Sequence, residues 1–239
     1  TEMQQGAISD LVDPIEAASI FLDHRMAVER GDKSGFVATE YRDVDDVLGG
    51  GMLSGGVYTL AARPGMGKTT FALNIADRVA KKTGPVLYVS LEMDTEQLYA
   101  KRVARLSGIP ASKLLMGRTL TEYEGERLAQ ALEKLANVPV HLNRVPSADI
   151  QKIETMARKM KGLALVVIDY FGIISPEQKG NKSSRLEYTT EISGEVKKMA
   201  RRLKVPVLML AQLNRASESR QDKHPQLSDL RETGAVEND

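Results

Sequence analysis

A chain of 239 residues with 42% hydrophobic residues is long enough to bury a full α/β core, and the absence of cysteine excludes disulfides and thiolate metal sites. A formal net charge of +1 excludes a surface coated throughout in positive charge. No apolar run approaches the roughly 20 residues that span a bilayer, and the N-terminus lacks the basic-then-apolar layout of a secretion signal, so a cytoplasmic protein with no membrane partner is expected. His24, His141 and His224 show no metal-ligand spacing.

Residues 1–13 are polar, and a helix is expected from Pro14, with Asp13 as its cap and Pro14 at its first position. Ile15, Ala18, Leu22 and Met26 form a narrow apolar stripe that such a short helix cannot bury alone, which hints at packing on another chain. Gly31-Asp32-Lys33-Ser34-Gly35 then reads as a hinge, so residues 1–34 are expected to be a tail and linker and 35–239 the main domain.

Val57-Tyr58-Thr59-Leu60 reads as a strand, followed by Ala61-Ala62-Arg63-Pro64-Gly65-Met66-Gly67-Lys68-Thr69-Thr70. A helix follows, with Phe71, Ala72, Ile75, Ala76 and Val79 on one face. Strand, glycine-bearing loop and helix in that order are the context of a phosphate-binding loop. Backbone N–H groups of residues 63–70 would face a polyphosphate, Lys68 would reach its terminal phosphates, and the Thr69 hydroxyl would hold Mg²⁺. Ala62 stands where the usual pattern has its first glycine. The bland alternative is a chance Gly-Lys-Thr at a helix start.

Further along, Pro85–Ser90, Val138–Leu142, Leu163–Ile168 and Val205–Ala211 read as strands. Thr95–Leu106, Thr121–Leu135 and Ser147–Met160, the last capped by Ser147, read as helices. A loop is expected over 175–184, then a helix carrying Ile192, Val196, Met199, Ala200 and Leu203. Such alternation implies a mostly parallel sheet with helices on both faces, and a sheet of this type leads us to expect a further strand after Asp239.

Ligands of parallel α/β sheets sit beyond the carboxyl ends of the strands. Asp169 there suits the carboxylate of a Mg²⁺ shell, Glu92 a base for an attacking water, and Gln212 an amide that reports the γ-phosphate. Each has an alternative: a cap, a solvated charge, or a backbone hydrogen bond. From Lys197 to Lys223 eight Lys/Arg face only Glu218 and Asp222, which is either a solvated face or a surface that tracks a nucleic-acid strand. Arg215 and Arg220 follow Gln212 and could serve a neighbouring subunit's site or a strand.

The loop 61–70 resembles that of DnaB-type bacterial and phage replicative helicases, in which alanine at position 62 is common. Ser90-Leu91-Glu92-Met93, Val167-Ile168-Asp169-Tyr170, Gln212-Leu213-Asn214-Arg215 and the stretch Ser228–Asp239 resemble further motifs of that family, in its order. The resemblance runs from about Gly35 to the end. It implies a RecA-like P-loop ATPase domain of twisted, mostly parallel sheet, preceded by a linker helix. It further implies ATP and Mg²⁺ bound between subunits of a hexameric ring with single-stranded DNA in the channel, and a loader and a primase as partners. Lys68 and Thr69 would bind phosphate and metal, Glu92 would be the base, Asp169 the metal-shell carboxylate acting through water, and Gln212 the sensor. Arg231, Glu232 and Gly234 match a loop that holds the DNA backbone, and Lys179, Lys182 and Arg185 would also face the channel. The family's helical collar is not in this sequence, and its basic finger is expected past Asp239. Lys101 stands where the family often has arginine.

Other RecA-like ATPases, of recombinase or clock-protein type, share openings like Leu48-Gly49-Gly50-Gly51-Met52, while Ser-Leu-Glu-Met and Gln-Leu-Asn-Arg favour the helicase. A binding-only paralogue that regulates a partner has no need of Glu92.

Overall fold

The structure is a computed structural model. It describes residues 11–30, 35–143, 148–169 and 182–213 and the single residues 224, 226 and 229, with backbone alone for 182–190. By its internal packing the chain divides into two units, Thr1–Phe36 and Val37–Asp239.

The first unit holds helix α1, Pro14–Glu29. Asp13 caps it as the sequence predicts, its carboxylate accepting from the N–H groups of Ile15 and Glu16 at 2.8 and 2.9 Å. The apolar stripe is present but uncovered: Ile15 is 83% exposed, Leu22 57% and Met26 54%.

At the boundary lies β1 (Phe36–Val37), which pairs with β2 (Met52–Leu53) in a two-stranded piece, and α2 (Arg42–Val47) runs between them in sequence. The main sheet of the second unit has five parallel strands: β3 (Val57–Ala62), β4 (Val86–Ser90), β5 (Val140–Leu142), β6 (Leu165–Asp169) and β7 (Val207–Gln212), in the spatial order β3-β7-β6-β4-β5. Between them run α3 (Lys68–Lys82), α4 (Thr95–Ser107), α5 (Ala111–Leu115), α6 (Glu122–Ala136), α7 (Ile150–Arg158) and α8 (Lys182–Leu203).

Strand residues alternate between two cores, as a period of two requires. Val86 and Tyr88 of β4, Leu165 and Val167 of β6, and Leu208 and Leu210 of β7 pack with Ala72, Leu73, Ile75, Ala76, Val79 and Ala80 of α3. Leu87, Val89, Val166, Ile168, Val207 and Met209 pack on the opposite face with α7 and α8. Residues on both faces are apolar, so the central strands read as unbroken hydrophobic runs. Each Val, Leu, Ile or Met side chain among them contributes about 1.5–3 kcal/mol on burial. Asp169 follows the parity of Leu165 and Val167, Ser90 that of Val86 and Tyr88, and Gln212 that of Leu208 and Leu210. The polar strand-end residues therefore share the face that carries α3.

Several boundaries differ from expectation for identifiable reasons. Strand β5 starts at Val140 because Pro139 has no N–H to donate. Helix α7 starts at Ile150, capped by Asp149, whose carboxylate accepts from Lys152 N–H at 2.7 Å; the expected cap, Ser147, lies outside the described residues. Helix α8 begins at Lys182, inside the stretch 175–184 expected to be a loop, since no Gly or Pro interrupts 182–193. The face of α3 is also wider than its predicted stripe: Leu73, Asp77 and Ala80 are buried on it too.

Candidate active site

The loop between β3 and α3 turns on two glycines, Gly65 (φ +76°) and Gly67 (φ +83°), in the left-handed region that other residues avoid. A side-chain carbon placed at either would meet nothing within 4 Å, so the space over the loop is open. Gly67 is the N-cap of α3 and has no side chain with which to cap it, and a helix start of this kind favours an anion. Pro64, Gly65, Met66 and Thr70 are exposed, and Arg63, Lys68 and Thr69 are half-buried.

Lys68 begins α3. Burial lowers its pKa from the ordinary lysine value, opposed by the charges of Asp169 and then Glu92. Three residues far apart in sequence thus act on one another at one edge of the sheet. Ser90 and Asp169 are partners in the β4–β6 register, and Ala62 and Gln212 in the β3–β7 register, so loop, carboxylates and amide end neighbouring strands at the same end. Gln212 and Glu92 are exposed there, whereas Asp169 is 1% exposed.

Asp169 is held by a residue that sequence reasoning did not single out. Tyr88, fully buried in β4, donates its hydroxyl to Asp169 Oδ2 at 2.8 Å. Burial and the adjacent carboxylate raise the Tyr88 pKa well above its ordinary value, so the phenol stays protonated and remains a donor. Oδ1 of Asp169 is buried without a hydrogen-bond partner. A buried orphan oxygen beside the open loop fits a hydrated Mg²⁺, an ion that keeps much of its water and needs few protein ligands. Among the described residues no group of three or more acidic or histidine side chains forms a metal cage, and a site of this kind does not require one.

The turn carrying Glu92 has its own support. Ser90 Oγ donates to Met93 O at 2.7 Å and accepts from Met93 N–H at 2.9 Å. Leu91 N–H donates to Asp169 O at 2.6 Å. Behind α3, Asp77 is 1% exposed and pairs with Arg102 of α4, whose Nε donates to Asp77 Oδ1 at 2.8 Å; Arg105 reaches the other oxygen. The only sequence signal for this pair was an acid among apolar neighbours on α3, with its partner 25 residues away.

Of the other residues singled out, Lys179, Asn214, Arg215, Arg220, Arg231, Glu232 and Gly234 lie outside the described residues, and Lys182 and Arg185 are described only as backbone of α8. Lys101 lies on α4.

A parallel sheet with helices on both faces, a glycine loop leading into α3, and acids at the strand ends define a RecA-like P-loop domain. The sequence pattern of the DnaB-like helicase C terminal domain matches residues 36–239. The chain is 38% identical over 214 residues to the replicative DNA helicase DnaC of Bacillus subtilis, covering 88% of this chain and 46% of that protein. It is 38% identical over 207 residues to the replicative DNA helicase DnaB of Geobacillus stearothermophilus, covering 85% and 45%. Its fold matches a solved ATPase domain with a TM-score of 0.80 at 29% identity, over 95% of this chain and 81% of that one. It also matches a DnaB-like replicative helicase solved for its interactions with primase, with a TM-score of 0.78 at 29% identity, over 92% and 54%. The chain belongs to the family of DnaB-like helicase C-terminal domains, and it spans less than half the length of these two curated relatives.

Proposed function

We propose that this domain hydrolyses ATP and uses the cycle to move along single-stranded DNA and separate a duplex. The observation that carries the reading is the meeting of Lys68, Asp169 and Glu92 at one strand edge beside an open glycine loop. Residues 63–70 would bind the phosphates, and Lys68 would hold the terminal one. Thr69 and Asp169 would hold Mg²⁺, which supplies positive charge against the phosphate oxygens.

Glu92 would take a proton from water as the water oxygen bonds to the γ-phosphorus and the bond to the bridging oxygen breaks, releasing ADP and phosphate. Its exposure leaves it accessible to that water. Gln212, exposed at the end of β7 opposite Ala62, would contact the γ-phosphate and pass its loss to the segment that follows.

Relatives named as replicative DNA helicases support a DNA substrate, and the relative solved for its interactions with primase supports a primase partner. Arg231, Glu232 and Gly234 would hold the DNA backbone, with Lys179, Lys182 and Arg185 as further contacts. On this reading a neighbouring subunit would complete each site in a ring, with six subunits as the expected number and a loader to place it on DNA. The same reading places the protein in the cytoplasm.

The test is ATP turnover of the full-length protein with and without single-stranded DNA, followed by strand displacement from a forked duplex. Turnover stimulated by DNA together with displacement supports the motor. Stimulated turnover without displacement would point to a recombinase-type ATPase instead. Neutralising Arg231 should lower single-strand affinity and flatten its salt dependence.

A further inference from the structure

We infer that Asn143 is a positioning residue for Glu92. The inference rests on the reading of Glu92 as the base and adds to it the device that aims that base. Glu92 is exposed, so no packing around its side chain orients it. What places it is the backbone beneath, and that backbone is clamped from strand β5.

The β4–β5 ladder pairs Val86 with Val140, Leu87 with His141 and Tyr88 with Leu142. Past Leu142 a side chain takes over from the strand. Asn143 Oδ1 accepts from Ser90 N–H at 2.7 Å, and Asn143 Nδ2 donates to Ser90 O at 2.8 Å. The amide thereby presents the donor and acceptor that another strand residue would have offered. A primary amide carries both on one carbon, side by side; a carboxylate accepts and cannot donate.

Ser90, fixed in this way, closes the turn by gripping both backbone groups of Met93 with its hydroxyl. Leu91 is tied to Asp169 from the other side, and Thr95 Oγ1 donates to Asn143 O at 3.3 Å, tying in the start of α4. The Leu91-Glu92 tip is therefore bracketed by a relay that starts at Asn143. Displacing a catalytic group by about 1 Å costs on the order of 100-fold in rate.

The test is a double-mutant cycle in the full-length protein. Turnover and the affinity for a fluorescent ATP analogue would be measured for Asn143→Ala, Glu92→Gln and the pair, with thermal melting as a control for folding. Asn143→Ala should lower kcat roughly 10- to 100-fold with nucleotide affinity unchanged, and should add no further loss in the Glu92→Gln background. Ser90→Ala, which removes the hydroxyl and leaves the Asn143 contacts, should show the same dependence on Glu92 if Asn143→Ala does not fold. Equal losses with and without Glu92, or a loss of affinity with kcat unchanged, overturn the inference. Full turnover in Glu92→Gln alone overturns the underlying reading of Glu92, a result distinct from either of these.

Discussion

Tyr88 and Asp169 lie on adjacent strands, and the phenol occupies one oxygen of the carboxylate at 2.8 Å while the other oxygen, equally buried, has no hydrogen-bond partner. One oxygen of Asp169 is thus held by the fold, and the metal-shell role proposed for this residue falls to the other. Tyr88→Phe keeps the ring and removes the donor, leaving both oxygens unsatisfied. We expect a loss of about 1–3 kcal/mol of stability, the usual cost of a stranded buried acceptor. The Mg²⁺ concentration needed for half-maximal nucleotide binding should also rise. Denaturant melts and a Mg²⁺ titration of fluorescent nucleotide binding check the two effects, and an unchanged melt would remove Tyr88 from the account. Because the Tyr88 pKa is raised by folding, its contribution is complete below the unfolded tyrosine value of about 10. It is lost as pH rises toward the folded value, so Tyr88→Phe should narrow the alkaline loss of stability.

Gly67→Ala separates two roles of the phosphate loop. The left-handed φ of +83° costs alanine roughly 1–2 kcal/mol, but an added methyl meets no protein atom within 4 Å. The folded protein should therefore lose only that much stability. Nucleotide affinity should fall far more, since the methyl enters the space assigned to phosphate. Calorimetry with and without nucleotide distinguishes the effects, and an affinity loss no larger than the stability loss would show that the space is not used.

Breaking the Asp77–Arg102 pair should be expensive. Asp77→Leu strands a guanidinium that is 2% exposed, at about 3–5 kcal/mol, whereas Asp77→Leu combined with Arg102→Met should recover most of the loss. Urea melts of both proteins test this. A single variant as stable as the parent would mean that the charge finds water.

Glu154 of α7 is gripped by Arg202 of α8 and by Arg158, and these hydrogen bonds hold its carboxyl below the ordinary value. Its contribution is complete above the unfolded glutamate value of about 4.3 and fades as pH falls through the lower folded one. Both arginines are about half exposed, so the contribution is about 1 kcal/mol or less. Glu154→Gln should melt slightly lower than the parent at pH 7, with the difference closing below about pH 4. A difference that persists at pH 3 would assign the effect to packing rather than charge.

The central strands were legible because both of their faces are apolar, as in Leu163-Ala164-Leu165-Val166-Val167-Ile168, and the loop because Gly67-Lys68-Thr69 sits between a strand and an amphipathic helix. Asp169, Glu92 and Gln212 were legible as polar endings of apolar runs. Helices α2 and α5 were missed because six and five residues are too few to show a helical period. Tyr88 and Asn143 were missed for another reason. Their partners lie 81 and 53 residues away, and neither residue type stands out from its neighbours in sequence. A tyrosine inside a fully buried run was the one available clue, since its hydroxyl must find an acceptor.

The bond from Leu91 N–H to Asp169 O spans 2.6 Å and joins the backbone beside Glu92 to that of Asp169. It works as a short ruler between two backbones, while the exposed side chain of Glu92 stays free to rotate above it. On the proposed reading the strands beneath are a fixed mount, and the freedom left to Glu92 is rotation about its own bonds.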